Sequence, residues 1–492
     1  MNGSLDDGNG IFDSHVLFGA VNQPAKVMWQ RMRSILFLLI SILLYSAVLV
    51  LFLVTQLQTA ASGQEAPAVE AADQSELTWW KGNIHTHSLW SDGNDFPEMI
   101  ADWYRSGGYH FLALSDHNIL SEGTRWMDHA DIVKEGGADA LQKYLQRFGD
   151  EWVETRGEPG MPNYQVRLKP LNEFRKLLEQ PGRFLMIQSE EISDEAEGLP
   201  VHINATNVHG LIEPMGGRTV AETIDNNLRA IEDQSKRNGR EMLGHLNHPN
   251  FGLAVTAEDM ATVLRARFFE VYNGHPGVKH LGDLHHPKVE QMWDIANTIR
   301  LGELAAPPLF AVAVDDSHNY HGEKGSRPGR GWIMVRAREL EPTVLIQAIK
   351  AGDFYASSGV TLDEVAYNQE TKVHSLRIHP QADATYTTQY IGTKIGYDSS
   401  SKPRADADGK PLRASREYSK DVGEILATVV GESASYQLSG KELYVRAVVT
   451  SSKPHRDPSF KGQRQQAWTQ PVGWRERLDK TSLRDTGGAG SR

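Results

Sequence analysis

The side chains capable of chemistry are concentrated in one stretch. Of 19 histidines, 15 lie between His85 and His321, and they stand beside carboxylates in short clusters: His85 with His87, Asp116 with His117, Glu190 and Glu191 ahead of His202, His245 with His248, and Asp315 and Asp316 with His318. Side chains on an extended strand alternate with period 2. An H-x-H pair therefore aims both imidazoles to one side, where one cation can accept both nitrogens. Asp316 and His318 repeat that spacing. A single pair says little, because a lone histidine is commonly a satisfied core or surface residue. Several clusters of the same make-up say more, since burying so many imidazoles and carboxylates without a cation leaves costly unpaired polar groups. The chemistry implied is that of divalent ions: a bound water ionises near neutral pH to a hydroxide nucleophile, and a neighbouring ion takes a substrate oxygen. The chain has no cysteine, so His and carboxylates must supply the donors; disulfides, thiolate nucleophiles, zinc fingers and Fe–S clusters are excluded.

These clusters need elements to position them. Short β-rich runs at 83–88, 110–117, 184–193, 201–208, 241–248, 268–274, 310–318 and 331–337 alternate with amphipathic helical periods at 97–105, 220–237, 257–267, 289–300 and 342–351. The alternation predicts a βα-repeated α/β architecture, and the clusters fall at strand ends, which converge on one face of a parallel barrel. Residues 121–170 read as an insertion over one face. After Gly359 the helical periods stop, and the β runs of 361–475 predict a separate small β-sandwich, followed by a disordered tail over 476–492.

The strings HTHSLWSDG, ALSDHN, EEIS followed by VHI, NHPNFG and DDSH, in that order over residues 79–358, resemble the successive motifs of the PHP (polymerase and histidinol phosphatase) superfamily of metal-dependent hydrolases. The resemblance implies a distorted (β/α)7 TIM-like barrel over 79–360, with two or three divalent ions, Zn, Mn or Fe, at its carboxyl face. It implies His85, His87, Glu191 and Asp316 on one ion, Glu191 as a bridge to His202 and His248 on a second, and Asp92, His117 and His318 on a third. Glu190, His245 and Asp315 are near rivals within the same motifs, and are expected to orient the ligands instead. Asp116 is a candidate for orienting an imidazole or the attacking water. Glu270, Asn273 and His275 are candidates for the substrate pocket.

The loop 321–332 carries Arg327 and Arg330 among glycines, and guanidinium groups suit bidentate phosphate recognition, so both are expected to hold a phosphoryl group. The reading that follows is a phosphoesterase acting on a small phosphorylated molecule. Hydrolysis of an ester, amide or carbamate on the same site is the alternative, and a non-catalytic metal-containing binding or sensor protein is another. The formal charge of −12, without a basic run, argues against nucleic acid as a main partner, and nothing bears on oligomeric state.

No charged residue occurs over 34–64, and 35–55 offers about the 20 apolar residues that span a bilayer. Lys26, Arg31 and Arg33 precede this run and no Lys or Arg follows until Lys81. The expectation is a single-pass membrane protein with a cytoplasmic segment over 1–34, an uncleaved helix, a tether over 56–78, and the catalytic part periplasmic or extracellular.

Overall fold

The structure, a computed structural model, describes residues 77–478. Nine strands organise the half of the chain that carries the histidines: β1 (Thr78–Asn83), β2 (Phe111–Leu114), β3 (Leu185–Ala196), β4 (Leu199–Thr206), β5 (Leu243–Leu246), β6 (Phe268–Asn273), β7 (Phe310–Val314), β8 (Trp332–Ala337) and β9 (Phe354–Ser357). Strands β2 (FLAL) and β7 (FAVAV) are buried at every residue, as befits strands covered on both faces. The intervening helices have the end signals their sequences carry. Val220–Asn238 is capped by the Thr219 hydroxyl, which accepts from the Glu222 N–H, and ends at Gly239 in the left-handed region. Ala257–Thr262 opens with a Thr256/Asp259 capping box.

One sheet runs through both halves of the described chain. Its order is β7-β6-β5-β4-β3-β2-β1-β8-β9, continued by Arg464–Thr469, Glu442–Pro454, Tyr386–Lys394 and Glu424–Val430. The pairs β1/β2, β2/β3, β5/β6 and β6/β7 are parallel; β3/β4, β4/β5 and everything from β1/β8 outward are antiparallel. Beyond the ladders, Thr86 and Ser317 form an isolated parallel bridge. The His87 N–H donates to the Ser317 carbonyl and the Asp316 N–H to the His85 carbonyl, each at 3.0 Å, so the chain ends of β1 and β7 meet. A second sheet of Leu362–Asn368, Val373–Ile378 and Ser433–Gln437 covers the far part of the large one. Between the two lies a core that includes Tyr355, Leu362, Leu376, Tyr390, Val445 and Val449. Residues 121–170 form a small accessory sheet, with helices His129–Gly136 and Ala140–Phe148.

Three expectations are corrected here. The expected sandwich is not separate: its strands continue those of the expected distorted (β/α)7 barrel in one mixed 13-stranded sheet, in which Tyr355, Ala356 and Ser357 pair directly with Thr469, Trp468 and Ala467. The transmembrane helix and the single-pass localisation are also not carried by the structure. Among the described residues no helix is long and apolar enough to cross a membrane, and the 35–55 run on which both rested lies outside those residues.

The C-terminal strands are tied to the first half by buried polar groups. Arg446, from Glu442–Pro454, donates to both carboxylate oxygens of Asp294 on the helix Val289–Gly302 at 2.8 and 2.6 Å, and the Tyr444 hydroxyl donates to the same carboxylate at 2.8 Å. Gln470 clamps the backbone of Ala311 in β7, accepting from its N–H at 2.8 Å and donating to its carbonyl at 2.9 Å.

Candidate metal centre

His85 and His87 follow directly on β1, and period-2 alternation brings their Nε2 atoms to 3.1 Å from each other. Glu191 reaches them from β3: its Oε2 lies 3.2 Å from each of those nitrogens. Asp316 arrives from the segment after β7, with Oδ1 3.3 Å from His85 Nε2 and 3.2 Å from His87 Nε2. Asp316 has φ +48°, in the left-handed region that a non-glycine residue seldom adopts. The turn sends consecutive carboxylates opposite ways: Asp316 to the histidines, and Asp315 to the backbone N–H groups of Gly329, Arg330 and Gly331. Each of the two carboxylates thus lies 3.2 to 3.3 Å from both imidazole nitrogens, which are themselves 3.1 Å apart, separations close to those of neighbouring donors held at about 2.0 Å by one cation such as zinc. The ligand atoms of His85, His87 and Glu191 all lie within 4.8 Å of one another.

Two further groups adjoin this one. Glu191 divides its oxygens, for while Oε2 faces His85, His87 and His117, Oε1 faces His202 Nδ1 at 3.0 Å and His248 Nε2 at 3.4 Å. Asp92 faces His318 and His87 through Oδ1, at 3.5 and 3.6 Å, and His117 through Oδ2 at 3.5 Å. All the expected ligand residues are thus brought together, and Glu191 is placed as a bridging carboxylate would be.

The surroundings fix their orientation. Glu270 accepts from His85 Nδ1 at 2.6 Å and from the His248 backbone N–H at 2.7 Å, leaving the His85 Nε2 lone pair for the cluster. Asn247 donates to Glu191 Oε1 at 2.8 Å, and Asn273 to Asp316 Oδ2 at 3.0 Å. His318 donates from Nδ1 to the Asp316 carbonyl at 2.9 Å, freeing its Nε2. Nothing in the sequence singles out Asn247 beyond its place beside His248 in NHPNFG, and Glu270 and Asn273, expected to line the substrate pocket, contact the donors themselves.

Electrostatics asks for positive charge here. Burial by itself would depress the His85 pKa, but Asp316, Glu191 and Glu270 outweigh it and hold the imidazole well above its usual range. His117 is pushed up to about 11, where Glu191 and Asp92 overcome its burial. Burial would raise Glu191 and Asp316, yet the imidazoles around them hold both well below the ordinary carboxylate range. Among the described residues, the ion-pair partners of Asp92, Glu191 and Asp316 are all imidazoles. Glu191 Oε2 and His87 Nδ1 are buried without a hydrogen-bond partner. Neighbouring lone pairs that converge in this way fit a cation between them, and the donor set suits Zn, Mn or Fe.

Other expected residues are placed elsewhere. Asp116 is turned away from the imidazoles: it accepts from the Ser88 N–H, Ser88 Oγ and Ser91 Oγ at 2.7, 2.8 and 2.6 Å, and so shapes the turn that carries Asp92. Of the rivals, Glu190 accepts from the Ile212 N–H and His245 pairs with Glu270, so neither reaches the cluster as Glu191 and His248 do. The phosphate clamp is corrected most. The Arg330 guanidinium is 4% exposed and committed to the carbonyls of Gly274 and Gly325, both at 2.8 Å, and to Asp457 at 3.1 and 3.2 Å. Arg327 Nε meets the same Asp457 at 3.2 Å. Both arginines anchor the loop to the C-terminal half.

No family model matches the chain, and no curated protein does. Among solved structures it is similar to a two-domain protein from Bacteroides vulgatus ATCC 8482 containing a predicted PHP-like metal-dependent phosphoesterase, with 15% identity over 80% of this chain and 96% of that one, at a TM-score of 0.33. It is also similar to an amidohydrolase from Chromobacterium violaceum with bound sulfate and no metal, with 14% identity over 50% of this chain and 90% of that one, at a TM-score of 0.25.

Proposed function

We propose that this chain is a metal-dependent hydrolase of small molecules, with phosphoesters as the first substrate class. The observation that carries the reading is the convergence of Glu191 and Asp316 on the paired Nε2 atoms of His85 and His87, with Glu191 shared toward His202 and His248. His85, His87, Glu191 and Asp316 would hold one divalent ion, Glu191, His202 and His248 a second, and Asp92, His117 and His318 a third. Such ions supply Lewis acidity and lower the pKa of coordinated water. The protein's own part is positional. Glu270 sets the tautomer of His85, Asn247 and Asn273 fix the carboxylates, and the Ser88–Ser91 turn, tied to Asp116, presents Asp92. His275 stands at the rim with its ring 5.6 Å from that of His318. Its Nδ1 accepts from the Gly277 N–H, so in the neutral ring Nε2–H is a donor toward substrate.

A second reading, cleavage of a carboxylic ester or amide, is favoured by one observation. With Arg330 buried and committed to Asp457 and to the Gly274 and Gly325 carbonyls, the pair expected to clamp a phosphate dianion is reduced to Arg327, which itself meets Asp457 through Nε. Metal analysis of the purified protein, followed by assays on an aryl phosphate and a neutral aryl ester with and without chelator, tests both. Chelator-sensitive cleavage of the phosphate is expected; cleavage of the ester alone transfers the assignment to the second reading, and bound metal without either activity removes the hydrolase.

A further inference from the structure

A cavity of about 380 Å³ opens at the pole opposite the metal donors, lined by Ile231, Lys236, Met242, Arg265, Arg267 and Lys350 among others. Met242 and Arg267 stand just before β5 and β6, whereas His248 and Asn273 lie at or beyond the far ends of those strands. We propose that this cavity is a second binding site, independent of the metal centre, which takes a phosphate group on the Arg267 guanidinium.

The cations of the lining differ in their partners. Arg265 meets Asp225 at 3.1 Å and also Glu232, Lys236 lies 3.7 Å from Glu232, and Lys350 lies 2.5 Å from Glu241. Arg267 has no such partner: among the described residues its guanidinium makes no hydrogen bond and no ion pair, and its central carbon stands 5.6 Å from the centre of the Phe310 ring. Nε is enclosed by protein, while the two terminal nitrogens, equally unpartnered, keep accessible surface. An arginine out in solvent would leave its donors to water, but Arg267 is largely buried in a cavity wall.

The charges around Arg267 are of its own sign. Burial and then the neighbouring Arg475 lower its pKa, and burial and then Arg267 lower that of Arg300 to about 9. Arg300 is committed to the carbonyls of Met260, Val263, Leu264 and Pro307, and Arg475 to that of Ala351, so neither brings a carboxylate into the group. Three guanidinium charges gathered without a counter-charge are costly, and an anion from outside relieves that cost.

The chemistry of the occupant follows. A guanidinium with free terminal N–H groups grips a phosphate through two parallel hydrogen bonds, and a dianion answers the surplus of positive charge better than a carboxylate does. Leu228, Ile231, Leu243 and Phe268 add an apolar wall, against which a small organic phosphate gains over the inorganic ion. The volume lies near the lower end of the roughly 300–1,000 Å³ of small-molecule sites, which limits the organic part to about one ring.

The probes are inorganic phosphate and phenylphosphonate, whose carbon–phosphorus bond resists hydrolysis. They are titrated calorimetrically into the full chain treated with chelator, so that no ion at the metal centre competes for them. Saturable binding of both is expected, with phenylphosphonate at least threefold tighter; equal affinities would name free phosphate as the occupant. Arg267→Met should weaken both at least tenfold, and Arg267→Lys by less, since it keeps the charge and loses the fork. Without ligand, the Arg267→Met thermal midpoint should equal or exceed that of the wild type, because the change removes an unpaired charge. The double variant His85→Ala/His87→Ala should bind both probes as the wild type does. Absence of saturable binding, binding that Arg267→Met leaves intact in folded protein, or binding lost in His85→Ala/His87→Ala alone, overturns the proposal.

Discussion

Two buried ionic clusters in this molecule are built on opposite plans. Where the C-terminal strands meet the helix Val289–Gly302, Asp294 is matched by Arg446 with two short bonds and by the Tyr444 hydroxyl with a third. That cluster neutralises itself. In the segments after β1 and β7 and within β3, by contrast, the ion-pair partners of Glu191, Asp316 and Asp92 among the described residues are all imidazoles, whose nitrogens crowd toward one another. A self-neutralised cluster holds structure and needs nothing more, whereas a cluster of lone pairs is completed by a cation from outside. The types of group decide their roles.

The largest effect should come from emptying the second cluster of donors. His85→Ala with His87→Ala is expected to abolish divalent-metal binding and hydrolysis while leaving the chain folded, because the apolar core lies apart from the donor cluster. Metal analysis and urea unfolding check this, and a collapse in metal-free stability would erase the contrast between the clusters.

The first cluster should respond in the reverse way. Arg446→Met leaves Asp294 buried and unpaired, at a cost of about 3–5 kcal/mol, and adding Asp294→Leu should restore most of it. Chemical denaturation of the single and double variants measures both, with metal content expected to stay at the wild-type level.

A smaller change sharpens the metal side. Glu270→Gln removes the carboxylate that orients His85 and should weaken metal affinity by about 10–100-fold without abolishing it. In the wild type, affinity should fall as pH is lowered, because ions and protons compete for the same imidazoles. Titrations with a metallochromic competitor across pH report both.

The smallest predicted effect concerns Glu190, the neighbour that points away from the cluster. Burial raises its pKa to about 8, so the native state keeps a proton that the unfolded chain releases near the ordinary carboxylate value. Its contribution to stability is therefore complete below that ordinary value and declines as pH rises toward 8. Glu190→Gln, which cannot ionise, should make this decline shallower. Denaturation at both ends of the window decides, and an unchanged slope would show that Glu190 is ionised in the native state.

The donors were legible because their geometry is local. H-x-H on a strand fixes two rings on one side whatever the rest of the fold does, and five clusters of this kind can hardly be accidental. The strand directions were legible but misread. Glu197 and Gly198, both with positive φ, make the two-residue turn between β3 and β4, and so short a connection permits only antiparallel pairing. The role of Arg330 was not legible at all. Its partner Asp457 lies 127 residues further on, and nothing in a glycine-rich basic loop distinguishes a guanidinium awaiting phosphate from one already bound. Asp116 failed for a related reason: its side chain turns toward Ser88 and Ser91, a choice made by loop packing instead of strand alternation.

The pairing of β9 with Arg464–Thr469 bears on how this chain can be divided. A protein cut after β9 would leave Tyr355 to Ser357 with unmet backbone groups along an open margin, close to apolar residues now covered. Such a margin is a template for another copy of itself, and the shortened chain would add strands from its neighbours and precipitate. The C-terminal strands thus act as a selvedge, and the histidine-bearing half cannot be lifted out as an interchangeable cassette without a replacement hem.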